Sequence, residues 1–418
     1  MKAVGGPAPG GRYLHWDQLR HREPPEGLTR DEWWLGMKLA RSPLLKALPL
    51  HSAYGQPFQL ALPEAVLEAA QHIDEQTRGV APLHRHAVTQ EMRIDALMEE
   101  AIQTAQLAGA AMARLDAKEM LRSGRKPLNR SERMIHDAHQ SLEMVSAARD
   151  EGLTPELVNE VHRAMTRHTL VQGEAGRLRQ AHEEPQVYAL RGERLFIPPS
   201  AKELKDRLAA LCAFANGDTP DWYIHPVLRT ILVHLWVGYD HFFVEGNGRV
   251  ARALALWSAL SRDYALFDFL AVSSRFRRDK GAYERVYLYT TSDGYDATYF
   301  VLFVLQAIEE SIEAFDSWAW RRRGDAARVR RVVGEEEKLN DRQLALLGQA
   351  VRRADACFTT RTHRTRFGIA TARRDLLRLK KRGLLTRKRV GRIHEYRPSR
   401  KFSSAVDAET KSPAPERG

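Results

Sequence analysis

The stretch His241-Phe-Phe-Val-Glu-Gly-Asn-Gly-Arg-Val-Ala-Arg252 gathers base, acid, glycines and arginines into twelve residues. Gly246 and Gly248 bracket Asn247 between two helical runs, where glycine lets the backbone approach a ligand in conformations closed to other residues. The helix that follows points free N–H groups and the positive end of its dipole into the loop, which suits phosphate. Arg249 and Arg252 lie three apart on one face of that helix and add two fixed positive charges. Glu245 supplies the hard oxygen that Mg²⁺ prefers beside phosphates. His241, at the end of the preceding helix, can act as general base for an incoming hydroxyl. A Gly-Asn-Gly by itself is most often a turn, and a lone histidine is most often structural. The order and spacing of the whole set point to phosphoryl or nucleotidyl transfer. His234 shares a helical face with His241, but no third ligand stands at a spacing that would make a metal pair of them.

Outward from this stretch the pattern is helical. Helices are expected at Glu32–Arg41 and Glu64–Gln76, with a hairpin or loop over Ser52–Leu62. Longer apolar-periodic runs cover Met92–Leu115, Ser131–Arg149 with Ser131 as N-cap, and a helix from Thr154 with Pro155 in its first turn. The run Gln186-Val-Tyr-Ala-Leu-Arg-Gly-Glu-Arg-Leu-Phe-Ile197 has two short β-prone pieces around Arg191-Gly192 and predicts a β-hairpin. Helices resume at Ala201–Asn216, His225–Asp240, after Gly248, and over Thr298–Trp318. Arg321–Glu337 is a charge-rich connector, and Ser403–Gly418 is polar, with disorder expected. The division is 1–87 N-terminal accessory region, 88–320 catalytic core, 321–339 connector, 340–401 C-terminal module and 402–418 tail. No internal repeat is evident.

The 241–252 segment resembles the signature of the Fic family, His-Pro-Phe-x-(Asp/Glu)-Gly-Asn-(Gly/Lys)-Arg-x-x-Arg, with Phe242 where the family has proline. Tyr13-Leu-His-Trp-Asp-Gln-Leu19, Glu32-Trp-Trp34, the 186–199 hairpin, Thr104-Ala-Gln-Leu-Ala-Gly109 and the basic C-terminus are similar to one bacterial subgroup of that family, so the likeness spans residues 13–398. It implies a mostly α Fic core with a small β-hairpin flap and a C-terminal winged helix-turn-helix. It implies protein adenylylation with ATP as substrate and Mg²⁺ as cofactor. By that resemblance His241 deprotonates a Tyr, Thr or Ser hydroxyl of a target protein and Glu245 holds Mg²⁺. Gly246, Asn247, Gly248 and Arg249 hold the α- and β-phosphates, and Arg252 holds the γ-phosphate. Tyr283 and Tyr287 are weaker candidates for the nucleoside pocket. Val187, Tyr188, Leu195 and Phe196 belong to the flap that aligns the target by strand addition.

Many Fic proteins restrain themselves through (Ser/Thr)-x-x-x-Glu-(Gly/Asn), whose glutamate pairs with the second motif arginine. Thr104, Ala108 and Gly109 stand at those positions here. Alanine cannot pair with Arg252, so Arg252 is expected to be open to ATP and the chain not to be auto-inhibited. Phe242 in place of proline restores an N–H and adds bulk near the base.

Composition narrows the setting. Of 418 residues 43% are hydrophobic and 28% charged, a globular balance. No apolar run nears the roughly 18 residues of a membrane span, and Met1–Arg12 lacks the apolar core of a secretory signal. Cys212 and Cys357 fall in separate segments, so a reducing cytosol is expected. Asp341–Lys401 holds 19 Lys/Arg against 4 Asp/Glu, more than the whole net charge of +12. Within it, helices at Asn340–Arg353 and Ala370–Arg382 and strands at Thr386–Val390 and Ile393–Tyr396, with the short polar Thr359–Thr365 between the helices, have winged-helix order. Arg373, Arg374, Arg378, Lys380, Lys381, Arg387 and Arg392 are its candidate contacts to duplex DNA. A basic protein-contact module, a homodimer, a DNA-binding regulator whose core only binds nucleotide, and transfer of UMP or phosphocholine stay open.

Overall fold

Apolar side chains at helical spacing bury one large core, and the elements that build it set the catalytic loop. The computed structural model describes residues 5–79, 88–171, 173–185, 187–189, 192–334, 338–353, 355–360, 363, 368–391 and 393–411. The fold is mostly helical, with three small antiparallel sheets among the described residues.

Helix Pro226–Asp240 is buried along almost its full length and packs against helix Asn247–Leu260. Helices Gln90–Leu107, Arg130–Ala147 and Pro155–Thr166 close around the second of these. Pro155 sits in the first turn, where its missing N–H is harmless, and Thr154 caps that turn. The expected Met92–Leu115 helix is broken: Gly109 takes φ +101, and a separate helix, Arg114–Ser123, follows. The N-cap expected at Ser131 is Asn129, whose side chain accepts from Glu132 N–H at 2.9 Å. The Ser131 hydroxyl instead accepts from Ala111 N–H.

The N-terminal region is fastened to the core. Strand Leu45–His51 pairs with Pro57–Ala61, and Gln59 bridges to the segment around Asp296. Arg41 is fully buried, with its guanidinium 3.7 Å from the Tyr13 ring centroid and bonded to Leu14 O and Tyr299 OH.

Two boundaries move. The last core helix runs Thr298–Val333, through the expected connector. Its charged residues are exposed or paired, Arg322 with Asp95, Asp325 with Arg352 and Arg328 with Glu409, while Ala319 and Val329 turn inward, Val329 into a second apolar cluster with Leu347, Leu376, Tyr396, Phe402 and Val406. The expected disordered tail is helical as far as Lys411, in a helix Arg400–Lys411, because Phe402 and Val406 join that cluster and Glu409 pairs with Arg328 and Arg331; residues 412–418 lie outside the described residues. The C-terminal module holds helices Asp341–Arg352 and Gly368–Lys381 and a three-stranded sheet in which Ile393–Pro398 lies between Phe358–Thr359 and Leu385–Val390. Most of the expected polar stretch Thr359–Thr365 lies outside the described residues, as does Arg392.

Candidate active site

Helix Pro226–Asp240 ends at His241, which adopts left-handed φ 49, ψ 55. That conformation is rare without glycine and costs about 1 kcal/mol; it swings the ring into a cleft. His241 Nδ1 lies 2.8 Å from the Gly238 carbonyl. A carbonyl only accepts, so Nδ1 carries the proton and Nε2 presents its lone pair. Burial pushes the His241 pKa down, to about 4, against the Gly238 bond that favours the cation. The ring is therefore neutral near pH 7, as a base requires. Arg179 locks the turn: its N–H donates to Phe242 O, its Nε to His241 O, and its Nη2 to Pro199 O. Phe242 is fully buried in the main core and does not line the cleft, so its bulk faces away from the base.

The loop closes on itself. Asn247 Oδ1 accepts from Phe243 N–H at 2.9 Å, and Asn247 Nδ2 donates to Phe243 O at 2.7 Å. Gly246 has φ +92, and a Cβ there would stand 2.9 Å from Thr166 Cγ2, so both conformation and space require glycine. The first intrahelical bond is Val250 N–H to Gly246 O. The N–H groups of Asn247, Gly248 and Arg249 precede it at the helix N-terminus, an anion-binding arrangement. Arg249 is buried, donates to Met165 O, and contacts Glu245 at 3.2 Å. Burial lowers its pKa to about 10, which still leaves it charged near pH 7.

Arg252 is not unrestrained. Its Nε donates to Thr104 Oγ1 at 2.6 Å and its Nη2 to Thr104 O at 3.2 Å, while Nη1 lies over Gly248. Its bound partner is a neutral threonine; no ion pair to Arg252 is found among the described residues. Ala108, one turn beyond Thr104, lines the same cleft of about 410 Å³ as His241, Glu245–Arg249 and Arg252.

Residues 152–259, which include this loop and the helices beneath it, match the model of the Fic/DOC family. Over these residues the chain is similar to the Fic/DOC family. It is 30% identical over 167 residues to "Protein adenylyltransferase Fic" of Nematostella vectensis, a match covering 40% of this chain and 35% of that relative. The chain thus spans about a third of the relative's length. Its fold is similar to a Fic family protein from Desulfovibrio desulfuricans, with TM-score 0.52 and 19% identity over 81% of this chain and 97% of that one.

The cleft brings together His241, Glu245, the 246–249 loop, Arg252, Ala108, Tyr283 and Tyr287; Thr104 bonds Arg252 beside it, and Gly109 and the basic C-terminal residues do not line it. Strands Val187–Tyr188 and Arg194–Phe196 pair across its mouth, and Val187, Tyr188, Leu195 and Phe196 all line it. The Phe196 ring lies 6.1 Å from that of His241 and 5.8 Å from that of Tyr287. Gln186, Leu190 and Arg191 of the expected hairpin lie outside the described residues. Tyr283 and Tyr287 line the far wall, where Tyr283 OH bonds His234 Nε2 at 2.8 Å. The lack of a Cβ on Gly238 makes room for Tyr287 OH.

Three supports of the loop escaped the sequence reading. Arg130 grips both Glu245 oxygens, at 2.8 and 2.9 Å, and donates to Thr169 O. Arg179 was noted above. His162 stacks on Phe243 at 3.7 Å, donates through Nε2 to Glu245 O, and accepts Gly176 N–H at Nδ1. No local motif marks them, because each reaches the loop across tertiary space. Burial lowers the His162 pKa to about 4, so the unfolded chain binds its proton more readily. Stability is therefore retained above the unfolded value near 6.5 and is lost as pH falls from there through 4, by on the order of 3 kcal/mol for this group. A His162→Gln variant should show a shallower fall of unfolding midpoint between pH 6.5 and 4; identical slopes would remove His162 from the account.

Proposed function

We propose that this chain is a protein adenylyltransferase that moves AMP from ATP to a Tyr, Thr or Ser hydroxyl of a target protein. The observation that carries the reading is the open Nε2 of a neutral His241 in one cleft with the N-terminal N–H groups of the 247–260 helix. In this reading His241 takes the target hydroxyl proton and the freed oxygen attacks the α-phosphorus of ATP. The α–β phosphoanhydride bond breaks and pyrophosphate leaves. The 247–249 N–H groups and Arg249 hold the α- and β-phosphates, Arg252 takes the γ-phosphate, and Tyr283 and Tyr287 border the nucleoside. The flap strands offer edge hydrogen bonds to an extended target segment.

Glu245 fits a Mg²⁺ ligand, since its carboxylate faces the anion loop and its present partners are arginines that phosphates can also engage. When bound, the ion supplies charge neutralisation on the phosphates. Incubation with labelled ATP, Mg²⁺ and cell lysate, read by mass spectrometry of labelled proteins, tests the activity; labelled protein without adenylylated side chains would replace it with another transfer. Glu245→Ala should lose Mg²⁺-dependent labelling, and an unchanged Mg²⁺ dependence would place the ion elsewhere.

The C-terminal module supports a second role, winged-helix binding to duplex DNA. Arg373, Arg374, Arg378, Lys380, Lys381 and Arg387 are all exposed, while the one acidic residue of the Gly368–Lys381 helix, Asp375, is buried against Arg342. Binding of the full chain to duplex DNA should weaken steeply as salt rises, and Arg373→Ala with Arg374→Ala should flatten that dependence by about two charges. Absence of binding at low salt would assign the module to protein contact.

A further inference from the structure

Away from the cleft, His136, Asp137 and His168 place one ligand atom each within 4.8 Å of the others. His136 and Asp137 are neighbours on helix Arg130–Ala147, and His168 follows the end of helix Pro155–Thr166. Asp137 Oδ1 lies 2.7 Å from His168 Nδ1 and 3.5 Å from His136 Nδ1. Asp137 Oδ2 accepts the His168 backbone N–H at 3.0 Å, which fixes the carboxylate. Ordinary hydrogen bonding accounts for His168 and leaves His136 unexplained. Its Nδ1 is buried and has no hydrogen-bond partner, and a buried polar atom left without one is uncommon.

We propose that these three residues form a transition-metal site, taking Zn²⁺ or a similar divalent ion through two imidazole nitrogens and one carboxylate oxygen. The separations of 2.7 and 3.5 Å bracket the spacing of neighbouring ligand atoms around an ion bonded at about 2.0–2.2 Å. Two imidazoles with a single carboxylate favour zinc, cobalt or nickel over Mg²⁺ and Ca²⁺, which prefer oxygen ligands. The exposed side of His168 leaves room for water to complete the coordination.

The ion would act as a clamp. It joins the segment after Thr166 to the neighbouring helix, and that part of the chain presents Met165 O to Arg249 and Thr169 O to Arg130. Both arginines contact Glu245. The site is thus a positioning device behind the loop, and it stands whether or not the loop transfers AMP.

The test is titration of the metal-stripped full-length chain with Co²⁺, read by visible absorption, and with Zn²⁺, read by calorimetry and by the unfolding midpoint. One equivalent is expected to bind, with ligand-field absorption from Co²⁺ and a raised midpoint with Zn²⁺. His168→Ala and His136→Gln should each weaken binding at least tenfold and abolish the midpoint rise, whereas Glu245→Gln should leave both intact. His136→Gln keeps the Asp137–His168 bond, and an unfolding midpoint of the metal-free variant equal to the parent's separates lost ligation from lost structure. No Co²⁺ absorption in the parent chain, or one-equivalent binding that both histidine variants retain, overturns the proposal.

Discussion

His241→Ala should lower AMP transfer by at least 10²–10⁴-fold, the usual contribution of a positioned general base, while ATP binding stays within a few-fold of the parent. The two effects separate because the phosphate contacts are elsewhere: in the 247–249 N–H groups, Arg249 and Arg252. Among the described residues of the cleft, the other carboxylates are already engaged. Glu245 is held by Arg130 and Arg249, and Glu284 lies beside Lys280. The Gly238 carbonyl selects the useful tautomer, and His241→Gln, which cannot accept a proton at that position, should fail as the alanine does. The pH profile gives a second readout. Only the neutral ring is a base, so kcat/KM should hold steady from neutral pH down to about 5 and fall as pH approaches the His241 pKa of about 4. A fall centred near 6.5 would mean that the ring is solvated, and equal labelling by His241→Ala and parent would remove it from the reaction. The cation made by proton uptake is disfavoured by the same burial, so proton release to pyrophosphate or solvent should be fast.

Ala108→Glu should cut labelling of target by roughly 10- to 100-fold and weaken ATP binding, the size of a coupling of about 1–3 kcal/mol. The argument is one of geometry and then charge. Thr104 already holds Arg252 through Nε and Nη2, so the end of the Gln90–Leu107 helix stands within reach of that guanidinium. Ala108 is exposed, at the rim of the cleft. A carboxylate there can form a charge-assisted pair with Arg252, and the γ-phosphate would have to break it. Threonine is neutral and competes weakly, which is why the parent chain should accept ATP without release from a partner. Ala108→Gln separates size from charge: it should retain most labelling if the effect is ionic. Side-by-side labelling by the parent and both variants is the measurement, and equal labelling in all three would make the Thr104–Gly109 segment scaffold alone.

The family resemblance and the motif were legible because this chemistry is local. Base, carboxylate, glycines and arginines must lie on one helix–loop–helix, so their spacing is written along the chain. The helical runs of the core were legible for a similar reason, since apolar periodicity records which face is buried. Sequence placed Thr104 and Ala108 near Arg252 only through resemblance; the bonds between Thr104 and Arg252 join residues 148 apart. Arg130, His162 and Arg179 could not be read at all. An arginine or histidine, whether in a helix like Arg130 and His162 or in a loop like Arg179, is ordinary until folding brings it to Glu245 or to the His241 turn. The same holds for the two boundaries that moved. Arg321–Val333 and Arg400–Lys411 carry the charge of solvated linkers, and local propensity does not decide between helix and coil. Burial of Val329, Phe402 and Val406 in a shared cluster decides it. Sequence by itself determined which candidate groups the motif carries and in what order they stand. Tertiary structure decided which partners orient them, because those partners are distant in the chain and meet only when the core that joins them has closed.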